Sequence, residues 1–166
     1  MSVIDNTYET QGTHLFFVDA VTSSVDVIVK LTCPTGITGV AGGTRDQIDT
    51  TCLDVTDGYR KFVGGLATGD QVSVPFVLYH GDGSHQALFE LKRTAANIGW
   101  LVGLSDSDSV PTSIDSDGEI EPPNDRTCFT FFGYVANVTI DANTNEVVRG
   151  TLTIQPNGAT TPHWVA

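Results

Sequence analysis

Positive charge is scarce in this sequence, which has 8 Lys and Arg residues against 20 Asp and Glu. The formal net charge is therefore −12. Such a surface repels phosphate, so it argues against nucleic acid or an anionic membrane as a tightly held ligand. It does not argue against a protein that repels nucleic acid.

Cysteines and long apolar runs are scarce as well. The three cysteines are an odd number at wide spacing, and they predict neither a disulfide framework nor a zinc site. No run of about 18 apolar residues occurs, so no transmembrane segment is expected. The first residues lack the basic and apolar regions of a signal peptide. These features favour one domain of 166 residues in a reducing compartment.

Motifs of catalysis and of metal or cofactor binding are also missing. No histidine lies in an HExxH pattern, and no serine lies in a G-x-S-x-G turn. The glycines of 39–43 lack the Lys-Ser/Thr of a phosphate-binding loop. The acidic stretch 106–125 fits the EF-hand pattern in neither register, so a solvated loop is favoured over weak cation binding. We therefore predict no enzyme, no metal and no cofactor.

One segment, 83–97, repeats its apolar residues at helical spacing and predicts a single α-helix at about residues 84–97. Ser84 is the expected N-cap, and Gly99 the expected stop. The predicted core face consists of Leu88, Leu91 and Ala95, with Ala87 beside them.

Most of the remaining chain is predicted to form strands. Apolar runs predict buried strands at 13–20 and 127–140, the latter central in a sheet. Alternating patterns predict half-exposed strands at 25–33, 71–78 and 147–155. Shorter strands are expected at 51–54, 58–64 and 100–104, with a turn at 22–24.

Four segments are predicted to lack regular structure. They are an N-terminal arm at 1–12, a long loop at 34–50, an acidic loop at 105–125 and a short C-terminal tail. The long loop contains four glycines. Because loops of this length in compact domains are usually functional, we expect it to be disordered in the monomer and to become ordered against a neighbour. The acidic loop is expected to be solvated and mobile.

Several short motifs occur in a set order along the chain. They are Ile48-Asp49-Thr50-Thr51, Tyr59-Arg60-Lys61-Phe62, Gly65-Leu66-Ala67-Thr68-Gly69, Val72-Ser73-Val74, the helix at 86–96, Phe131-Phe132-Gly133-Tyr134-Val135 and the strand at 147–154. As an ordered set they resemble the major tail tube proteins of long-tailed, siphovirus-type bacteriophages. That family is related to the tubes of contractile tails and type VI secretion systems. The likeness covers most of residues 13–158.

The resemblance implies a mainly β fold, a two-sheet β-sandwich or barrel-like tail tube domain flanked by one helix. No additional C-terminal immunoglobulin-like domain is expected. The implied protein is structural, not an enzyme, and its hexameric rings stack into a tail tube through which DNA is ejected into the host. The implied partners are further copies of itself and the tape measure, tail terminator and distal tail proteins. The protein would be assembled in the host bacterial cytoplasm and found in the virion tail, with no membrane partner.

Two sets of candidate site residues follow. Inter-subunit or inter-ring contacts are expected from Pro34, Ile37, Val40, Arg45, Asp46, Ile48 and Asp49 of the long loop. Two strand faces could line the channel, and their residues are Asp26, Lys30 and Thr32 on one strand and Arg149, Thr151, Thr153 and Gln155 on the other. The cations Lys30 and Arg149 are expected to be offset by carboxylates of the same or a neighbouring subunit. An outer solvated face fits the same period-two pattern.

A different class of protein also fits this composition. It is a small β-sandwich that binds a ligand or receptor on a virion or cell surface. Aromatic residues clustered on loops would favour it, and the loops offer few, chiefly His80, His163 and Trp164.

Overall fold

The computed structural model describes residues 7–20 and 25–165. Its elements are β1 His14–Asp19, β2 Val27–Lys30, β3 Gly43–Asp49, β4 Phe62–Gly69, β5 Val72–Val77, α1 Gly83–Thr94, β6 Ile98–Gly103, β7 Cys128–Asp141, β8 Arg149–Pro156 and β9 Thr161–His163. This part of the chain is mainly β, with one helix and two sheets, which confirms the predicted fold class. Half of the predicted N-terminal arm, the turn at 22–24 and the last residue lie outside the described residues.

The main sheet has the strand order β2-β1-β6-β7-β8-β5, with β9 also paired to β7. The 14-residue strand β7 pairs with β6 and β9 along its first half and with β8 along its second half. At the changeover, Gly133 lies opposite both Ile98 and Pro156. A Cβ on Gly133 would lie 2.7 Å from the carbonyl oxygen of Gln155, so only glycine fits where the strands meet. The predicted central strand is therefore confirmed.

The chain after β2 connects the two ends of this sheet. The amide of Leu31 still donates to the Leu15 carbonyl of β1 at 2.9 Å. From Cys33 onward the chain bonds to β5, and Thr38 and Ser73 exchange two hydrogen bonds of 3.0 Å. One continuous segment, 27–38, therefore pairs first with β1 and then with β5. The prediction that 34–50 lacks regular structure is wrong, because residues 34–38 extend the edge of the sheet and residues 43–49 form β3.

The second sheet is a two-stranded ribbon of β3 and β4, which we call the ribbon (residues 43–69). It continues outward from the pair formed by 34–38 and β5, with a register shift between Arg45 and Gln47. The strand predicted at 58–64 is confirmed only for residues 62–64, which begin β4, and no strand forms at 51–54. Strand β4 takes β3 as its partner and continues through Gly65-Leu66-Ala67-Thr68-Gly69, with the register shift inside this stretch.

The helix α1 lies against β7, and its apolar stripe is shorter than predicted. Leu88 and Leu91 are fully buried, as expected. Ala95 is exposed, so its assignment to the core face is wrong. The reason is that the helix ends at Thr94, and Ala95 takes a left-handed conformation (φ 50°) that turns the chain away. The N-cap is Asp82, whose carboxylate accepts from the amides of Ser84 and His85, so the prediction of Ser84 as cap is also wrong.

The acidic loop is folded onto the sheet, which corrects the prediction of a mobile segment. Ile114 and Ile120 form a β-bridge, and Ile120 is fully buried. The loop approaches β6 so closely that a Cβ on Gly99 would lie 2.6 Å from the carbonyl oxygen of Gly118. All six residues of β6 are consequently buried, although the strand contains two glycines. The loop acts as a covering layer for this part of the sheet.

Replacing Leu91 with alanine tests the burial of the helix stripe. We expect Leu91→Ala to lower the free energy of unfolding by about 2–5 kcal/mol, because a fully buried leucine is lost and a cavity remains. Urea unfolding measures this change. Gln86→Ala, on the exposed face of the same helix, is the matched control. A loss below about 0.5 kcal/mol for Leu91→Ala, within the range of surface substitutions, would show that the stripe is not core.

Candidate assembly surface

The ribbon exposes large apolar side chains on both strands and on the loop between them. They are Ile48, Leu53, Tyr59, Phe62, Val63 and Leu66. Every residue of β3 is exposed, and no third strand of the described chain pairs with either strand of the ribbon. Two-stranded hairpins alone are marginally stable in water, and clustered exposed apolar groups mark interaction sites. The ribbon therefore has the properties of a surface that packs against another molecule.

The predicted contact residues divide into two groups. Pro34 forms a β-bridge with Phe76, and Ile37 and Val40 pack partly buried against the core, so these three serve the protein's own fold. The remaining four lie together on β3 with exposed side chains, and they are Arg45, Asp46, Ile48 and Asp49. The second group is therefore the more exposed of the two, whereas the first is partly buried.

Short-range polar contacts hold the shape of the ribbon. Arg45 donates to the carbonyl of Gly65 at 3.3 Å, and the Arg60 guanidinium lies 3.8 Å from the Asp49 carboxylate. Hydrogen bonds from Thr51 lower the pKa of Asp49. Exposed ion pairs of this kind contribute little to stability, because water screens them. The ribbon's apolar side chains are left uncovered by these contacts.

The predicted lumen residues of β8 form one polar face with their neighbours. Thr151 and Thr153 lie opposite Thr139 and Asn137 of β7, while Ser73 of β5 also faces Thr153. These five residues, Ser73, Asn137, Thr139, Thr151 and Thr153, are called the polar band. They are short and uncharged, whereas Leu152 and Ile154, on the opposite face of β8, are fully buried.

The remaining members of the β8 set lie at the two ends of the strand. Arg149 lies opposite Asp141 at one end of the polar band. Gln155 lies at the other end, and its side-chain amide donates to the carbonyl of Gly69 at 3.5 Å, where the ribbon leaves the sheet.

The predicted lumen residues near β2 do not form such a face. Asp26 and Lys30 are exposed, but Thr32 lies beyond the strand and contacts the helix. Its amide donates to the Ser84 hydroxyl at 3.2 Å. Strand β2 is also not a neighbour of β8 in the sheet, so the structure does not bring the two predicted sets together. In the described residues neither Lys30 nor Arg149 forms an ion pair.

A Ser-His-Asp grouping lies at the N-terminus of α1, and no sequence pattern predicts it. Its hydrogen bonds attach the start of the helix to neighbouring backbone. His85 is 2% exposed; its Nδ1 accepts the Tyr79 amide at 3.3 Å, and its Nε2 donates to the Thr32 carbonyl at 2.9 Å. Both ring nitrogens are therefore bonded to the backbone, and neither is available as a general base for Ser84. Burial opposes ionisation of Asp82, but hydrogen bonds from Ser84, Thr32 and the helix amides lower its pKa to about 2.

A buried arginine at the base of the acidic loop also went unnoticed in the sequence. Arg126 is 1% exposed and donates to the carbonyls of Leu104, Ser109 and Gly12 at 2.7–2.8 Å. It thereby joins β6, the acidic loop and the segment before β1. One feature of the sequence points to this role: Arg126 is a single cation between the acidic stretch 106–125 and the apolar strand β7.

Beside this arginine an open groove of about 1300 Å³ runs between residues 8–14 and residues 30–38, with Val102, Leu104 and Phe129 on its floor. In the described residues no three His, Cys, Asp or Glu side chains come together as a metal site. No helix in that part of the chain is long and apolar enough to cross a membrane.

Comparison with protein families decides between the two classes that the sequence suggests, a tail tube protein and a ligand- or receptor-binding module. Residues 6–166 match the family model described as phage tail tube, TTP, lambda-like. The chain belongs to the lambda-like phage tail tube family. It is accordingly a structural component of a phage tail and not an enzyme. The predicted tail tube resemblance is confirmed, and the family favours this role over the alternative of a receptor-binding module.

Known relatives agree with this assignment. The tail tube protein is 36% identical to structural protein 3 of Pseudomonas phage PAJU2 over 157 residues, which cover 93% of this chain and 92% of that protein. Its fold is similar to that of the GTA particle tail refined with C6 symmetry (TM-score 0.63, 13% identity, 94% of this chain and 98% of that one). It is also similar to the SPP1 tail tube (TM-score 0.64, 10% identity, 96% and 81%). At such identities these two structures support the fold alone.

The capping role of Asp82 generates a prediction with a pH dependence. We expect Asp82→Ala to lower the free energy of unfolding at pH 7 by about 0.5–2 kcal/mol. Because folding lowers this pKa, the contribution is fully present above the ordinary value of 3.8 and is lost as the pH falls through about 2. Urea unfolding of wild type and variant should therefore differ by a constant amount above about pH 4 and converge below it. A difference that grows on acidification would contradict this role.

Proposed function

We propose that this tail tube protein assembles into hexameric rings that stack to form the channel for DNA ejection. The observation that carries the proposal is the ribbon, which extends from the sheet edge with its apolar side chains uncovered. The C6 symmetry of the GTA tail, which shares the fold, supports a six-fold ring.

In the proposed ring, the ribbon of each subunit packs against the sheet of the next. Such head-to-tail contacts use two different surfaces of the subunit, so they close into a ring when the rotation between subunits is suitable. Pairing removes exposed strand edges, which would otherwise promote uncontrolled aggregation. It also covers Ile48, Val63 and Leu66, whose burial stabilises the assembly. The four exposed contact residues of β3 belong to this interface or to the interface between stacked rings.

The polar band is the proposed lining of the channel. DNA must pass quickly, and each phosphate held by a cation would slow it. Short uncharged side chains such as Thr151 and Thr153 offer no such cation and remain wetted. Arg149 places a positive charge at the end of this face, and a carboxylate of a neighbouring subunit would offset it.

A tube of stacked rings is open at both ends and needs other proteins to define its length and ends. We propose tape measure, tail terminator and distal tail proteins as these partners, with assembly in the host bacterial cytoplasm. The DNA would pass through the lumen without being bound tightly, in agreement with the net charge of −12.

Shortening the ribbon tests its role in assembly. In the test variant, Asn-Gly replaces residues 45–67, which joins the paired residues Thr44 and Thr68 by a two-residue hairpin turn. We expect a folded monomer, because the main core is untouched, but no tubes. Circular dichroism and negative-stain electron microscopy measure the two properties. Normal tubes from this variant would rule out the proposed role.

A pair of point variants provides a matched comparison. Leu66→Asp places a charge among the ribbon's exposed apolar groups, and Val110→Asp places one on the exposed surface of the acidic loop. We expect only Leu66→Asp to abolish polymerisation, because burying an unpaired carboxylate at an interface is costly. Equal loss with both variants would show that added charge, and not the ribbon, controls assembly.

Lysines in the polar band test the position of the channel. We expect Thr151→Lys with Thr153→Lys to allow tube formation but to slow DNA delivery, most at low salt, where screening is weakest. Gln86→Lys with Asn97→Lys, on exposed positions at the helix, adds the same charge as a control. Infectivity and DNA ejection rates are the measurements. Unchanged infectivity with normal tubes would move the polar band to the outside.

A further inference from the structure

The end of the segment before β1 is bound to the body by a buried guanidinium; we call this segment, residues 7–13, the strap. Nη2 of Arg126 donates to the Gly12 carbonyl at 2.8 Å and to the Gly103 carbonyl at 3.1 Å. The same nitrogen lies 3.1 Å from Nδ1 of His14, the first residue of β1. A weaker contact of 3.3 Å joins the hydroxyls of Tyr8 and Thr127. The arginine therefore connects the end of the strap to β6.

The contact between Arg126 and His14 requires a neutral imidazole. Nη2 has two N–H groups for three acceptors, so the His14 contact shares one N–H with a carbonyl. A guanidinium can only donate, so Nδ1 of His14 is the acceptor in this contact and carries no proton. Protonation of that nitrogen would remove the hydrogen bond and leave two cations 3.1 Å apart. Because Arg126 is 1% exposed, little water is present to screen their repulsion.

The surroundings of His14 mostly oppose its protonation. Burial, Lys30 of β2 and Arg126 lower the pKa of His14, and Asp108 of the acidic loop raises it. The Phe16 ring meets the imidazole edge-on at 6.0 Å and brings no charge. Because the pKa is lowered on folding, the clamp contributes stability above the ordinary value of 6.5 and loses it as the pH falls below that value.

The strap also forms one wall of the groove of about 1300 Å³, whose opposite wall is the segment 30–38. We propose that His14 and Arg126 form a proton-sensitive clamp, in which protonation of His14 loosens the strap and widens the groove. The clamp is a property of the single chain and does not depend on the proposed tube.

Hydrogen exchange measured by mass spectrometry tests the clamp. After correction for intrinsic exchange rates, the protection of strap amides in the purified protein should fall several-fold from pH 7.5 to pH 5.5. Protection of the β7–β8 hairpin should stay constant and serves as the internal reference. In His14→Gln, whose amide oxygen can still accept from Arg126 but does not titrate, the strap should show no such pH dependence. Unchanged strap protection in the wild type, or an equal fall in His14→Gln, would overturn the proposal.

The ring nitrogens of His14 give a second measurement on the unaltered protein. Nitrogen NMR at pH 7.5 should show the tautomer with a proton on Nε2 and none on Nδ1. A proton on Nδ1 at that pH would also overturn the proposal, whatever the variant does.

Discussion

Backbone amides and carbonyls along the outer edges of β3 and β4 have no partner strand in the described part of the chain. Each backbone amide and carbonyl needs a hydrogen-bond partner, and this requirement links the fold of the subunit to the proposed assembly. Inside the subunit, it is met by segment 27–38, which bonds to β1 and then to β5, and by β7, which serves two sets of neighbours. At the ribbon, no part of the described chain meets it, and in the proposed ring a second subunit would supply partners.

The same strands separate a covered side of the molecule from a wetted one. The acidic loop lies over β6, where Gly99 allows the close approach of Gly118. The polar band lies on another region, formed by β5, β8 and the second half of β7. A strongly acidic protein can therefore present a nearly uncharged surface where DNA is proposed to pass.

Local patterns in the sequence predicted the helix and the long strands, because Leu88, Leu91 and the alternation of β8 repeat with a clear period. They failed at β3, since Gly-Thr-Arg-Asp-Gln-Ile-Asp has no buried face to impose a period. The assignment of Ala95 to the core face is wrong because several residue types can adopt the left-handed conformation that ends a helix. The sequence therefore does not show where the helix stops. The folded acidic loop depends on Arg126 and Ile120, whose partners are set by the tertiary fold and not by nearby residues. Of the two predicted sets of lumen residues, the set on β8 forms one surface in the structure and the set near β2 does not.

In the proposed tube, the polar band lines the channel and faces the tube axis. Helical reconstruction by cryo-electron microscopy of tubes grown from the purified protein measures that position directly. The expected result is six-fold rings in which the ribbon of each subunit contacts a neighbour and Thr151 and Thr153 face the axis. A tube whose lumen is lined by the acidic loop, or one in which the ribbon projects into solvent, would contradict the proposed assembly.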